Sequence, residues 1–181
     1  MKKFYLLFFV SLFVVSVFAQ DDLKKRPALG FSFTLHDYKT AAALRNEGLV
    51  NLVNDKQLFK FGNMEAGIGI NYFKGLSSHL DFTSLFDVSS FGSSLNSELT
   101  SGLNLKLLSD DYVVNPFIHA GLGASAYSGY FGAFMPVGTG IQFNVSNEVF
   151  FLINARYHIP VTQNANSTLF YGLTIAANVG K

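Results

Sequence analysis

The chain has 181 residues and a mass of 19.9 kDa, which suits a single domain. Charged residues make up only 14% of it, whereas an ordinary soluble domain carries about 25%. Lys and Arg total 13 against 12 Asp and Glu, so the chain has no electrostatic footprint for nucleic acid. The absence of Cys excludes disulfide scaffolds, thiolate zinc sites and cysteine nucleophiles. What remains is either a β-rich globular domain or a membrane protein.

Residues 1–20 have the three parts of a secretory signal. Two lysines form a positive start, an apolar run extends from Phe4 to Phe18, and Val17-Phe18-Ala19 provides a small-x-small cleavage pattern. The apolar run is short for a membrane-spanning helix, which needs about 20 residues. We therefore predict that residues 1–19 are a cleaved signal peptide and that the exported chain begins at Gln20.

In the rest of the chain, apolar residues recur at every second position. Between Leu95 and Leu107 the odd positions are mostly Leu, while the even positions are Asn, Glu, Thr, Gly and Lys. This alternation is typical of a strand with one apolar and one polar face, and the stretch is longer than the usual soluble strand of about 5–6 residues. The same pattern predicts eight strands, at residues 28–38, 64–73, 79–88, 95–107, 115–127, 135–145, 149–159 and 168–179.

The predicted connections alternate in length along the chain. Residues 74–78, 108–114 and 146–148 are short turns, and residues 39–63, 89–94, 128–134 and 160–167 form the other, mostly longer, connections. Short turns on one side and long loops on the other are typical of bacterial outer-membrane barrels. An even strand number places both termini on the turn side, which would face the periplasm.

The first long connection has helical character. Thr40 to Gly48 offers a capping residue, good helix formers and a terminating Gly, and Leu49, Leu52 and Val53 could form a second short turn. We interpret this segment as a folded spacer between the first two strands. The alternative is that it covers the barrel mouth or contacts a partner.

The two faces of the strands differ in a way that indicates which one lies outside. Bulky Leu, Phe, Ile and Val occupy one face of all eight strands, whereas Gly, Asn, Ser and Thr dominate the other. A membrane barrel turns its apolar face to lipid, and eight strands leave a lumen only wide enough for side chains or one small ligand. We therefore predict an all-β, eight-stranded antiparallel up-and-down transmembrane barrel over residues 20–181.

Six charged residues are predicted to face this narrow lumen. They form a structural polar network that plugs the barrel: Glu65, Asp81, Asp87, Glu98, Lys106 and Arg156. Counting along the strands places Arg156 at a depth similar to that of Glu65, Asp87 and Glu98. Buried charges are costly unless paired, so we expect Arg156 to contact one or more of the acids.

Aromatic residues gather near the strand ends and suggest two interfacial girdles. On the loop side these are Tyr38, Phe86, Tyr127, Phe134, Tyr157 and Tyr171. On the turn side they are Tyr72, Phe73, Phe117, Phe143 and Phe150.

Four stretches resemble a known family. They are Ala28-Leu-Gly-Phe-Ser-Phe, Gly69-Ile-Asn-Tyr-Phe-Lys-Gly-Leu76, Pro116-Phe-Ile-His-Ala-Gly-Leu-Gly-Ala124 and Phe151-Leu-Ile-Asn-Ala-Arg-Tyr157. Over residues 27–180 the chain is similar to the OmpA-like outer-membrane barrels of Bacteroidetes-type bacteria.

The resemblance implies a bacterial outer-membrane location, with outer-membrane lipid and the barrel assembly machinery as partners. It also implies a non-enzymatic role in envelope integrity or surface interaction. Members often carry a periplasmic peptidoglycan-binding domain after the barrel, which the sequence to Lys181 does not include. The ending Asn178-Val-Gly-Lys181 departs from the terminal aromatic residue that the assembly machinery reads in this family.

Residue patterns that could carry chemistry are weak. Gly121-Leu-Gly123-Ala-Ser-Ala126 matches a loose dinucleotide fingerprint, but no helical pattern follows it. His36 and His158 could meet across the lumen to bind a metal, or could act at the rim with Asp37, Asp87 or Ser167. We expect neither a cofactor nor a catalytic site, because nothing in the sequence sets their geometry. A small passive transport pore and a soluble exported lipocalin-like carrier remain as alternatives.

Overall fold

The computed structural model describes residues 25–48, 61–91, 94–146 and 148–179. The predicted signal peptide and the predicted helical turn at Leu49, Leu52 and Val53 lie outside these residues. No helix in the described ranges is long and apolar enough to cross a membrane.

The described residues form a closed antiparallel barrel of eight strands. Each strand pairs with the next along the chain, and β8 pairs with β1. This arrangement confirms the predicted all-β, up-and-down barrel. The elements are β1 (Ala28–Asp37), α1 (Tyr38–Glu47), a 3-10 turn (Phe61–Asn63), β2 (Glu65–Ser77), β3 (Leu80–Phe91), β4 (Ser94–Lys106), β5 (Val114–Tyr127), β6 (Tyr130–Asn144), β7 (Val149–Pro160) and β8 (Thr168–Asn178).

The apolar face of every strand points outward. Phe31 is 58% exposed, Ile70 60% and Leu122 68%, whereas their polar neighbours Ser32 and Asn71 are almost completely buried. Water would strongly disfavour such a continuous apolar surface, whereas lipid accommodates it. The barrel therefore spans a membrane, which argues against the soluble lipocalin-like carrier.

Two of the predicted loops are largely strand. The prediction of a loop at residues 128–134 is wrong. Strands β5 and β6 are joined by the two-residue turn Ser128-Gly129, whose φ angles of 47° and 84° suit a tight hairpin. The prediction of a loop at residues 89–94 is also wrong, because β3 continues to Phe91 and β4 begins at Ser94. Strand pairing continues where the alternation of apolar and polar residues stops, so the loss of alternation does not mark the end of a strand.

The predicted turn at 74–78 is also shorter than expected. Strand β2 runs to Ser77, so the turn consists of Ser78 and His79. The connection at residues 107–113 is longer than either of the tight loop-side hairpins, so the alternation of connection lengths is not observed.

We keep two names for the ends of the barrel. The turn side is the end where β1 begins and β8 ends, and the loop side is the opposite end.

Helix α1 begins earlier than the sequence suggested. Its N-cap is Asp37, whose carboxylate accepts a hydrogen bond from the Thr40 amide at 2.8 Å, so Thr40 is not the cap. Gly48 does end the helix, with a φ of 81° and an amide that donates to the carbonyl of Leu44. Because Asp37 is also the last residue of β1, the helix is fixed directly above the loop-side rim.

The prediction of two aromatic girdles is only partly correct. Phe73, Phe117, Phe134 and Phe150 point into the barrel and are at most 2% exposed. Position near a strand end does not decide orientation, whereas parity does: Phe73 shares its parity with the inward Asn71. Phe86 and Tyr72 do face outward, as predicted.

The strands are strongly staggered around the barrel. A path of paired residues that starts at Phe150 and passes through β8, β1, β2, β3, β4, β5 and β6 returns to β7 at Pro160, ten residues further along. Stagger of this kind accompanies strand tilt in closed barrels. Residues at equal distances from their strand ends are therefore not at equal depth in the lumen.

Candidate functional site in the barrel lumen

The turn side of the lumen is filled by an apolar cluster. Its members are inward-facing and almost completely buried: Ala28, Phe73, Phe117, Phe150, Leu152 and Ala176. The rings of Phe73 and Phe150 meet edge-on, with centroids 5.4 Å apart. The sequence signal for this cluster was strand parity, which the girdle interpretation overlooked.

The segment before β1 lies against this cluster. The Lys25 ammonium is 3.2 Å from the centre of the Phe150 ring, and the Lys25 carbonyl accepts a hydrogen bond from the Gly75 amide. A Cβ at Gly75 would come within 2.6 Å of the backbone nitrogen of Lys25, so only glycine allows the two backbones to approach this closely. Burial lowers the pKa of Lys25 to about 8, although Asp81 and Asp110 act in the opposite direction.

A buried ion-pair cluster also lies near the turn side. The Lys106 ammonium donates to Asp81 at 2.8 Å and to Asp110 at 2.5 Å, and the Lys106 side chain is completely buried. Gln142 donates a further hydrogen bond to Asp110. Two residues of the predicted network, Lys106 and Asp81, are thus in direct contact. Asp110 was missed because it lies in a connection, although its position four residues after Lys106 was a usable signal.

Towards the loop side, two adjacent carboxylates each have a histidine partner. Asp87 and Glu98 are register neighbours on β3 and β4. Asp87 lies 2.8 Å from His36 Nε2 and accepts a hydrogen bond from Thr34 at 2.7 Å. Glu98 lies 3.5 Å from His158 Nδ1, and no hydrogen bond joins the two side chains. Asp87 therefore has a hydrogen-bonded histidine partner, whereas Glu98 has a histidine only nearby.

Two further side chains complete the surroundings of these acids. Glu98 Oε1 accepts a hydrogen bond from Asn96 at 2.8 Å. Glu65 stands beside His36 in the register of β1 and β2 and is half-buried at the rim.

His36 and His158 are packed against a shared phenylalanine. The Phe170 centroid lies 5.2 Å from that of His36 and 5.5 Å from that of His158. His158 also stacks on Phe134 at 4.4 Å. Among the described residues, no group of three or more His, Asp or Glu side chains could hold a metal ion. The alternative of a metal site at His36 and His158 therefore gains no support from this geometry.

The suggested partners for rim catalysis are dispersed. Asp87 does contact His36, but Asp37 caps helix α1, and the buried Ser167 hydroxyl has no hydrogen-bond partner among the described residues. Neither His36 nor His158 forms a hydrogen bond with a serine hydroxyl in the part of the chain that the structure describes. These positions therefore do not assemble a hydrogen-bonded chain of nucleophile, base and acid.

Arg156 is buried without the acidic contact that we expected. It is 4% exposed, and within the described ranges no carboxylate forms an ion pair with it. Its guanidinium carbon lies 5.5 Å from the centre of the Phe170 ring, and its Nε has no hydrogen-bond partner. The register neighbours of Arg156 on the adjacent strands are Gly138 and Phe170, neither of which is acidic. Glu98 is instead close to His158, two residues further along β7.

The glycines of the loose dinucleotide pattern serve strand packing. Gly121 and Gly123 lie within β5, and strand β6 follows after a tight turn. A Cβ at Gly121 would be 2.4 Å from the Ser101 carbonyl oxygen, and one at Gly123 would be 2.4 Å from the Phe134 ring. A strand-helix phosphate site is therefore absent from this described stretch.

The loop-side mouth contains a small cleft of about 30 Å³. Tyr38, Tyr127 and Tyr130 contribute to its walls, and Glu98 lies among its lining residues. The Tyr38 hydroxyl accepts a hydrogen bond from Asn96 at 3.1 Å, which connects helix α1 to β4. Burial raises the pKa of Tyr38, so this hydroxyl stays protonated.

Comparisons with known proteins identify the fold. The N-terminal β-barrel domain of Pseudomonas aeruginosa OprF matches with a TM-score of 0.59 at 8% identity, covering 86% of this chain and 99% of that one. Neisserial surface protein A matches at 0.54 with 11% identity, covering 83% and 93%. Ail of Yersinia pestis matches at 0.51 with 9% identity, covering 85% and 96%.

Neither a protein-family model nor a curated protein matches the sequence. The structural matches establish the fold of bacterial outer-membrane β-barrels, and the outward apolar belt agrees with that location. The finer OmpA-like assignment of the Bacteroidetes type stays a prediction.

Proposed function

We propose that the protein is a closed, non-enzymatic outer-membrane barrel whose filled lumen makes it a rigid scaffold for its loop-side surface. Its role would be in envelope integrity or surface interaction. Outer-membrane lipid and the barrel assembly machinery are the partners that this role requires.

The filling of the lumen is the observation that carries this proposal. The turn side contains the apolar cluster and the Lys106 ion pairs, and the loop side contains the two carboxylate-histidine pairs. Inward residues between these layers, such as Asn104 and His119, are also almost completely buried and are joined by a 2.7 Å hydrogen bond. A small passive pore would instead need a continuous water-filled path.

Planar-bilayer recording tests this proposal. We expect the wild-type barrel to show no steady conductance, because an ion would have to displace packed aromatic rings and buried ion pairs. A Phe73→Ala and Phe117→Ala double variant reduces the apolar cluster and is the comparison most able to reveal an opened path. Steady conductance from the wild type would establish the pore alternative and overturn the closed-barrel proposal.

A further inference from the structure

The loop-side mouth carries a polar surface that the scaffold role does not use. The small cleft lined by Tyr38 adjoins a wider one of about 510 Å³, since the two share Tyr38 and Asn166. The second cleft lies between helix α1 and the connection from β7 to β8. We call the two adjoining clefts the mouth groove; Glu98 lines the small cleft and Arg45 the wider one.

Side-chain amides dominate the chemistry of the mouth groove. They come from helix α1, strand β4 and the β7–β8 connection: Asn46, Asn96, Gln163, Asn164 and Asn166. Four of the five, all except Asn96, form no side-chain hydrogen bond with any residue that the structure describes. An amide both donates and accepts hydrogen bonds. A sugar hydroxyl likewise both donates and accepts hydrogen bonds, so a side-chain amide can pair with it in either direction.

Tyrosine rings supply the second element of the groove. Tyr127 and Tyr130 line the small cleft together with Asn164 and Asn166, and Tyr130 is 65% exposed. A tyrosine offers an apolar ring face beside a polar hydroxyl, which matches the C–H face and hydroxyl rim of a pyranose. One carboxylate and one guanidinium, on Glu98 and Arg45, leave the groove without a strong net charge.

The walls of the groove are held in place before any ligand binds. The Asp37 cap and the bond from Asn96 to Tyr38 fix the helix side. On the other side, the Val161 amide donates to the Ala133 carbonyl, and the Ala133 amide donates to the Thr162 hydroxyl. Fixed walls lower the entropy cost of binding.

We propose that the mouth groove binds a neutral oligosaccharide. An anionic ligand would need more than the single guanidinium of Arg45, and a cation would need acceptors rather than amides that also donate. The proposal goes beyond the scaffold role and does not depend on a closed lumen, so conductance of the barrel would leave it standing.

Saturation-transfer NMR on the barrel in zwitterionic lipid nanodiscs tests the proposal, because sugar-headed detergents would compete for the groove. The probes are maltotriose, cellobiose, a mannose disaccharide and the N-acetylglucosamine disaccharide. We expect saturation transfer to at least one of them. Tyr130→Ala and Asn166→Ala should each weaken that binding about tenfold, the effect of one lost polar or ring contact. Both side chains are exposed, so neither change should prevent folding.

Tyr112→Ala is the matched control. Tyr112 is 57% exposed, like Tyr130, but lies on the turn side, so its loss should leave saccharide binding unchanged. The proposal is overturned if no saccharide shows saturation transfer, or if binding is equal in wild type, Tyr130→Ala and Asn166→Ala. Binding of tetramethylammonium or sulfate in place of every neutral saccharide would also overturn it.

Discussion

Two buried cations of the lumen, Lys106 and Arg156, should respond differently to the same substitution. Lys106 has two carboxylates, at 2.8 and 2.5 Å, whereas Arg156 has no ion pair with a described carboxylate. Replacing either with Met keeps an apolar stem of similar length and removes the charge. The comparison therefore isolates the contribution of pairing from that of packing.

The structure sets the size of the expected effect. Removing one partner of a buried ion pair costs about 3–5 kcal/mol. Asp110 is 18% exposed and keeps its hydrogen bond from Gln142, so most of the loss comes from Asp81, which is 1% exposed. We expect Lys106→Met to lower the free energy of unfolding by about 2–4 kcal/mol on this basis. Arg156→Met removes an unpaired buried charge, so it should be neutral or slightly stabilising.

Urea titration of the barrel in lipid vesicles, followed by far-UV circular dichroism, measures both variants. A Lys106→Met and Asp81→Leu double variant should recover part of the loss, because no buried carboxylate then lacks its partner. Equal losses for Lys106→Met and Arg156→Met would refute the reasoning, since pairing would then make no difference to stability.

Three further predictions concern the turn side, a strand contact and the helix cap. Burial of Lys25 lowers its pKa from 10.5 to about 8, so in the window between these values the unfolded chain binds more protons and wild-type stability rises with pH. Lys25→Met should therefore be more stable than wild type by up to about 3 kcal/mol below pH 8, and urea titrations should show this advantage shrinking towards pH 10.5. Gly138→Ala should destabilise the barrel by at least about 1–3 kcal/mol, because its Cβ would lie 2.2 Å from the Ala155 carbonyl oxygen. Gly62→Ala, whose Cβ would meet no described atom within 4 Å, is the control, and similar urea midpoints for the two variants would contradict the packing argument. Asp37→Ala should cost about 1 kcal/mol of helix stability and speed tryptic cleavage after Arg45, whereas an unchanged cleavage rate would show that the cap does not hold the helix.

The alternation of residues was sufficient to predict the barrel, because lipid and a narrow lumen impose opposite demands on the two faces of each strand. It placed Phe31 outward and Ser32 inward without any knowledge of pairing. Strand ends were harder to predict. Ser90 and Tyr130 still pair with Leu95 and Tyr127, although the alternation of apolar and polar residues has stopped there.

The contacts between charged side chains in the lumen could not be predicted by counting residues along each strand. The predicted contact of Arg156 with an acid assumed that equal distances from strand ends mean equal depth. A stagger of ten residues brings His158 close to Glu98 instead and leaves Arg156 beside Phe170. Register is a property of the closed sheet, so local sequence patterns contain little information about it. Parity, in contrast, was available for Phe73 and Phe150 and correctly orients both.

The orientation of the strand faces is the central claim, and a single-cysteine scan of β4 in lipid bilayers tests it most directly. The chain has no Cys, so one spin label at a time can be placed between Leu95 and Lys106 without background. We expect labels at Leu99 and Leu103 to be accessible to oxygen dissolved in the lipid, and a label at Thr100 to be shielded from it. The account is contradicted if the label at Thr100 is the one accessible to oxygen, or if labels at Leu99 and Leu103 respond mainly to a water-soluble nickel complex.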